Sequence, residues 1–258
     1  MYNKWNPRYY DLELYHHGIK GMHWGVRRFQ NRDGTLTKEG KQRLLDSSSS
    51  YNEKHNDDIS FKKNFKFDRV GIGGEKDEGS TFVSYTDNDR NMYRANHDVL
   101  AVGAGEVHKL ELKSIKDLKI AGKKAQVDAL LDYAGDKSIS EVLAAGESNN
   151  ERVRRQKVKE YNKTLKQILK GKKDPEELLD RAFSLYVERN SSMSIELTKR
   201  LQQKGYDGVV DLWDANIAEC PIYVFDRKQA LKTTKSSELT AREIDEEQLK
   251  YYKRKGYA

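Results

Sequence analysis

The chain has 258 residues, with 48 Lys and Arg against 41 Asp and Glu, a formal net charge of +7, and 36% hydrophobic and 34% charged side chains. Its single cysteine, Cys220, excludes an intramolecular disulfide framework and a CxxC-type metal site. No apolar run approaches the roughly 18 residues of a membrane span, and the first residues, Met1-Tyr2-Asn3-Lys4-Trp5, lack the apolar stretch of a secretory signal. These features point to the cytoplasm of the cell that makes the protein. Fifteen Tyr, seven Phe and three Trp supply core material. The basic excess reads as modest and spread out, unlike the clustered basic face of a dedicated DNA binder.

In chain order, residues 1–45 read as a docking segment. Three closely spaced glycines, Gly18, Gly21 and Gly25, argue against a regular helix there. Asp33-Gly34 marks a turn, and Thr37 is placed to cap a short helix over residues 38–45. The serines at 47–50 and the charged run at 52–58 read as a polar linker over residues 46–60. A domain over residues 61–235 follows. Its expected strands are a first one ending near Arg69, then residues 81–85, 108–112 and 118–120. The middle is helical: Val127, Leu130 and Leu131 share one face, as do Val158, Tyr161, Leu165 and Ile168. Asp174-Pro175-Glu176-Glu177 is a strong helix start with a stripe of Leu178, Ala182 and Leu185. Ser194 opens a helix through Leu197 and Leu201 that stops at Gly205. Strands at 206–212 and 222–225 close the domain, and residues 236–258 form a charged tail or helix. The fold class is α+β, with mixed and antiparallel strands around a helical insertion.

In the docking segment, Met22 and Trp24 supply apolar anchors while Lys20, Arg27 and Arg28 supply charge, the residue types that dominate protein interfaces. The same residues also suit a tail folded back on its own domain. His16, His17 and His23 suggest a metal site, but no carboxylate or cysteine completes the set, so no metal is expected. The run from His16-His17-Gly18-Ile19-Lys20-Gly21-Met22-His23-Trp24-Gly25-Val26-Arg27-Arg28 to Thr37 resembles a segment common in proteins of bacteriophages and prophages of Gram-positive bacteria, often encoded near portal and head-morphogenesis genes. The resemblance implies virion association or a part in virion assembly, with a portal, capsid or other virion protein as partner.

Within the domain, Arg69, the strand residue Ser84 and Glu219, just before a late apolar strand, occur in an order that resembles the ADP-ribosyltransferase fold of the Arg–Ser–Glu type. That resemblance implies NAD as co-substrate and a host protein as a possible acceptor. Cleaving the nicotinamide–ribose bond builds positive charge on the ribose. Glu219 would stabilise that charge, Arg69 would hold the dinucleotide phosphates, and Ser84 would support Glu219 or the ribose. Tyr85 or Tyr93 would stack on nicotinamide. The chain departs from the family pattern at Phe82 and Val83, which interrupt its Ser-Thr-Ser strand, and at Ile217, where arginine- and asparagine-modifying members carry Glu or Gln. NAD hydrolysis, transfer to another acceptor, or a particle component without chemistry all remain compatible with these residues. The basic balance leaves nucleic-acid binding as a third reading.

Overall fold

The computed structural model describes residues 28–50, 57–72, 79–85, 107–183, 192–211 and 222–255. Eight strands lie among them: β1 (Ile59–Phe61), β2 (Lys66–Ile72), β3 (Thr81–Val83), β4 (Val107–Ser114), β5 (Leu118–Ala121), β6 (Gly208–Val210), β7 (Ile222–Val224) and β8 (Leu231–Glu238). The described helices are α1 (Lys38–Ser50), α2 (Lys123–Ala134), α3 (Ile139–Glu147), α4 (Glu151–Leu169), α5 (Glu176–Phe183), α6 (Ser192–Gln203), the short α7 (Arg227–Ala230) and α8 (Ala241–Lys255).

The strands form two sheets. The larger runs β1-β5-β6-β7-β3 and is mixed, since β5 and β6 are parallel and the other pairs antiparallel. The smaller, β2-β4-β8, is antiparallel throughout. Side chains alternate between the two faces of a strand, and this sorts the core into layers. Ile120, Val210, Ile222 and Val224 turn toward the small sheet and pack with Phe67, Leu110 and Leu112. Ala121, Val209, Tyr223 and Phe225 turn the other way and meet the helices through Leu130, Leu165 and Leu197. The α+β class expected from the sequence is what the chain adopts.

Several helices begin where a side-chain oxygen satisfies a first-turn amide, although α2 and α3 have no such cap. Thr37 Oγ1 accepts from Gly40 N at 3.1 Å, so Thr37 is the expected cap. Asn150 Oδ1 accepts from the amides of Arg152 and Val153, and Asp174 Oδ1 accepts from Glu176 N at 3.0 Å. Thr240 and Glu243 form a reciprocal capping box at the start of α8. Gly205 ends the α6 region with φ +84°, as expected of a residue after a helix.

The segmental expectations change at both ends. The helix from Lys38 continues to Ser50 and takes in the serines read as linker. Leu36 and Leu44 are buried in the helix-side core, so this stretch is part of the domain. The physical reason is that a serine run on an already nucleated helix costs little per residue once a buried leucine anchors the preceding turn. Ile59 and Ser60, also read as linker, belong to β1, whose Phe61 is buried. At the other end β8 runs to Glu238, past the expected domain limit, and Leu239 and Ile244 pack on Val70 and Val107. Among the described residues no helix is long and apolar enough to cross a membrane.

Two carboxyls of α5 couple this layer to pH. Burial raises Glu176 above its ordinary 4.5, with Asp174 adding repulsion, and burial likewise raises Asp180 above 3.8. A folded value above the unfolded one means that protonation favours the native state. The contribution is therefore complete below the ordinary value and is lost as pH rises through the raised one. Urea midpoints are expected to lose this share as pH rises above the ordinary carboxyl values, and Asp180→Asn should flatten that slope. An unchanged slope in the variant would contradict the assignment.

Candidate functional site

Besides packing face to face, the two sheets are joined by one backbone bridge among the described residues. β2 and the residue after β3 form a single antiparallel bridge, Asp68 with Ser84, in which Asp68 N donates to Ser84 O at 3.0 Å and Ser84 N donates to Asp68 O at 2.9 Å. The next residue on β2 is Arg69. Its guanidinium Nη1 donates to the Phe82 carbonyl at 3.0 Å, which lays the half-buried side chain along β3. A guanidinium carries five donors in a fixed fork, so this contact orients the group at the seam.

Ser84 is 1% exposed, and its hydroxyl has no hydrogen-bond partner among the described residues. A buried hydroxyl left unpaired costs free energy and marks a place where a further group would be accepted. Tyr85 follows directly and packs edge-on against Phe61, with ring centroids 5.4 Å apart. Below the seam Phe82 stacks tilted on Tyr223 at 4.9 Å, and the Tyr223 hydroxyl donates to Ser80 Oγ at 2.6 Å. The buried Arg227 donates its backbone N–H to Gly79 O at 2.7 Å and its Nη2 to Thr233 Oγ1, fixing the chain at the entry to β3.

Of the expected site residues, Arg69, Ser84 and Tyr85 are therefore gathered at one seam. Glu219 and Tyr93 lie outside the described residues. So do His16, His17, Lys20, Met22, Trp24 and Arg27 of the docking segment. Arg28 is exposed, its guanidinium 5.2 Å from the Phe29 ring centroid, and its carbonyl accepts from Thr37 Oγ1. No group of three or more His, Cys, Asp or Glu among the described residues is placed to hold a metal ion.

The charge is distributed otherwise than composition suggests. Residues 151–173 hold ten Lys and Arg against two Glu, a surplus of eight in a chain whose total is +7. The basic excess thus sits on α4 and the turn after it, and is not spread out. The overall ratio hid this because acidic residues elsewhere balance the remaining cations. A groove of about 660 Å³ runs between α4 and the turn at residues 30–34, lined by Lys159, Lys163, Lys166 and Lys170 among others. The signal that finds it in the sequence is the spacing of those lysines, four, three and four residues apart.

A second polar cluster was also unforeseen. Lys123, in the first turn of α2, is fully buried, with Nζ 2.6 Å from Asp174 and 3.3 Å from Glu176. It ties α2 to the start of α5.

In comparisons with known proteins, a family model described as a family of unknown function, DUF7211, matches residues 7–31. No curated protein and no solved structure matches the chain.

Proposed function

We propose that the chain is a phage virion- or assembly-associated protein whose domain is ADP-ribosyltransferase-like and cleaves NAD, with a host macromolecule as the acceptor of ADP-ribose. The observation that carries this reading is that Arg69 and Ser84 come together at the seam between the sheets, the Ser84 hydroxyl being buried with no partner among the described residues. Ile222, three residues after Glu219 in the chain, pairs with Val83, the neighbour of Ser84. The strand that follows Glu219 in the chain is therefore a neighbour of β3, which supports a place for the carboxylate in this reading.

In this reading Arg69 binds a dinucleotide phosphate through charge-assisted hydrogen bonds. Ser84 holds the carboxylate of Glu219 or a ribose hydroxyl. Glu219 then stabilises the positive charge that develops on the ribose as nicotinamide leaves. The N-terminal segment, with Lys20, Met22, Trp24, Arg27 and Arg28, docks on a portal or capsid protein, and the match at residues 7–31 is consistent with a recurring unit of its own.

The test is nicotinamide release from NAD by the purified chain, with and without host lysate. Glu219→Gln is expected to lower the rate by about a hundredfold or more, the scale of losing one transition-state stabiliser. Arg69→Ala should chiefly raise KM. Absence of release by the wild type under both conditions would overturn the enzymatic reading and leave a non-catalytic assembly component docking through its N-terminal segment.

A further inference from the structure

The groove between α4 and the turn at residues 30–34 has the features of a built anion site. Lys159, Lys163, Lys166 and Lys170 recur at helical spacing and share one face, spanning about 16 Å at 1.5 Å rise per residue. All four are exposed, and none has a hydrogen bond or ion pair through its side chain among the described residues. Of the six other cations in residues 151–173, three are paired with carboxylates: Arg155 with Glu151, Lys157 with Glu147 and Glu160, and Lys173 with Glu177. Arg152 and Arg154, nearer the start of α4, do not line the groove, whereas all four lysines of the row do.

The opposite wall supplies an independent observation. Gln30 lines the groove, is 3% exposed, and its Nε2 donor is buried without a partner. The one acidic side chain in the groove, Asp33, is turned to local use: its Oδ1 accepts from Thr35 N at 3.0 Å and Thr35 Oγ1 at 2.7 Å. A row of exposed ammonium groups, with a buried amide donor left without a partner on a lining residue, suits a row of anionic acceptors.

We propose that this groove binds the phosphate backbone of double-stranded nucleic acid without reading its sequence. Successive lysines advance about 6, 4.5 and 6 Å along the helix, a ladder of point charges suited to phosphates rather than to the forked recognition that arginine gives carboxylates. None of the residues lining the groove is aromatic, so it offers no platform for the stacked bases of a single strand. Backbone contacts of this kind give affinity and register but no specificity. The proposal stands apart from the Arg69–Ser84 seam, and neither depends on the other.

The test uses the full chain and a labelled mixed-sequence DNA duplex of about 30 base pairs, followed by fluorescence anisotropy from about 50 to 200 mM salt. The wild type is expected to bind with an affinity that falls steeply with salt. The quadruple variant K159Q/K163Q/K166Q/K170Q should lose about a hundredfold at the lowest salt, with a log–log slope shallower by about 3 to 4, as loss of four phosphate contacts requires. Gln30→Met should weaken binding severalfold and leave the slope unchanged. A control, K66Q/K113Q/K232Q/K235Q, removes equal charge from the three-stranded sheet and should bind nearly as the wild type does. Equal weakening by the control would reduce the effect to net charge and overturn the proposal. So would absence of duplex binding by the wild type, or a preference for a poly-glutamate peptide, which would assign the groove to an acidic protein. Thermal melts confirm the fold of each variant, and Lys163→Glu alone should move affinity in the same direction.

Discussion

Asp174→Asn is expected to destabilise the protein by about 3 kcal/mol, the lower end of the cost of breaking a buried ion pair. The substitution keeps the amide oxygen that can cap α5, so the loss reports charge and not capping. What it strands is Lys123, which is fully buried. Glu176 remains 3.3 Å away but is itself partly exposed and raised by burial, so it offsets only part of the loss. Lys123 also stands in the first turn of α2, where a cation opposes the helix dipole, so the carboxylates must outweigh that term as well. Removing both partners in Lys123→Met with Asp174→Asn should recover most of the stability, because an apolar side chain of similar length fills the site without an unpaired charge. Denaturant titrations of the two single variants and the double variant give the coupling directly. A loss below about 1 kcal/mol in Asp174→Asn would show that the ion pair is not what ties α2 to α5.

Gly208→Ala is the second large effect, again about 3 kcal/mol, from overpacking that backbone atoms cannot relieve. A Cβ at this position would lie 2.4 Å from the Tyr223 carbonyl oxygen, 3.1 Å from Val224 Cα and 3.2 Å from Ile120 Cδ1. Gly208 opens β6, which is held between β5 and β7 in the middle of the large sheet. The strain therefore falls on β7, whose Ile222 is paired with Val83 next to Ser84. A melting temperature lower by roughly 10 °C is expected for a chain of this size. If the seam is the NAD site, nicotinamide release should fall in the same variant even well below its melting temperature. A variant of wild-type stability would mean that β6 and β7 can separate without cost.

What could be read from the sequence was the periodic part. β4 alternates over enough residues to declare a half-buried strand, and the leucine and isoleucine stripe of α4 declares its buried face. β1 has only three residues in a charged setting, so nothing in its pattern separates it from a linker. β8 is held by its backbone pairing to β4, and apart from Leu231 none of its side chains is buried, so hydrophobic periodicity has nothing to register. The order of Arg69 and Ser84 was legible, but their proximity at the seam was not. It depends on two sheets meeting at one bridged residue, a relation that no local window contains. The groove was missed for a different reason: averaging charge over the chain conceals a surplus confined to 23 consecutive residues, 151–173.

Gly40 and Phe29 carry one last implication. The Phe29 carbonyl lies so near Gly40 that an added Cβ would stand 2.0 Å from it, and the same carbonyl accepts from Thr37 N. The chain is thus stapled to the first turns of α1 from Arg28 onward, with Gln30 set beside the lysine row. A particle protein gripping the residues upstream would hold the domain on a short leash. Its basic groove would be kept near the grip by geometry, and for any polyanion packed beside that partner the local concentration would be set by the leash and not by diffusion.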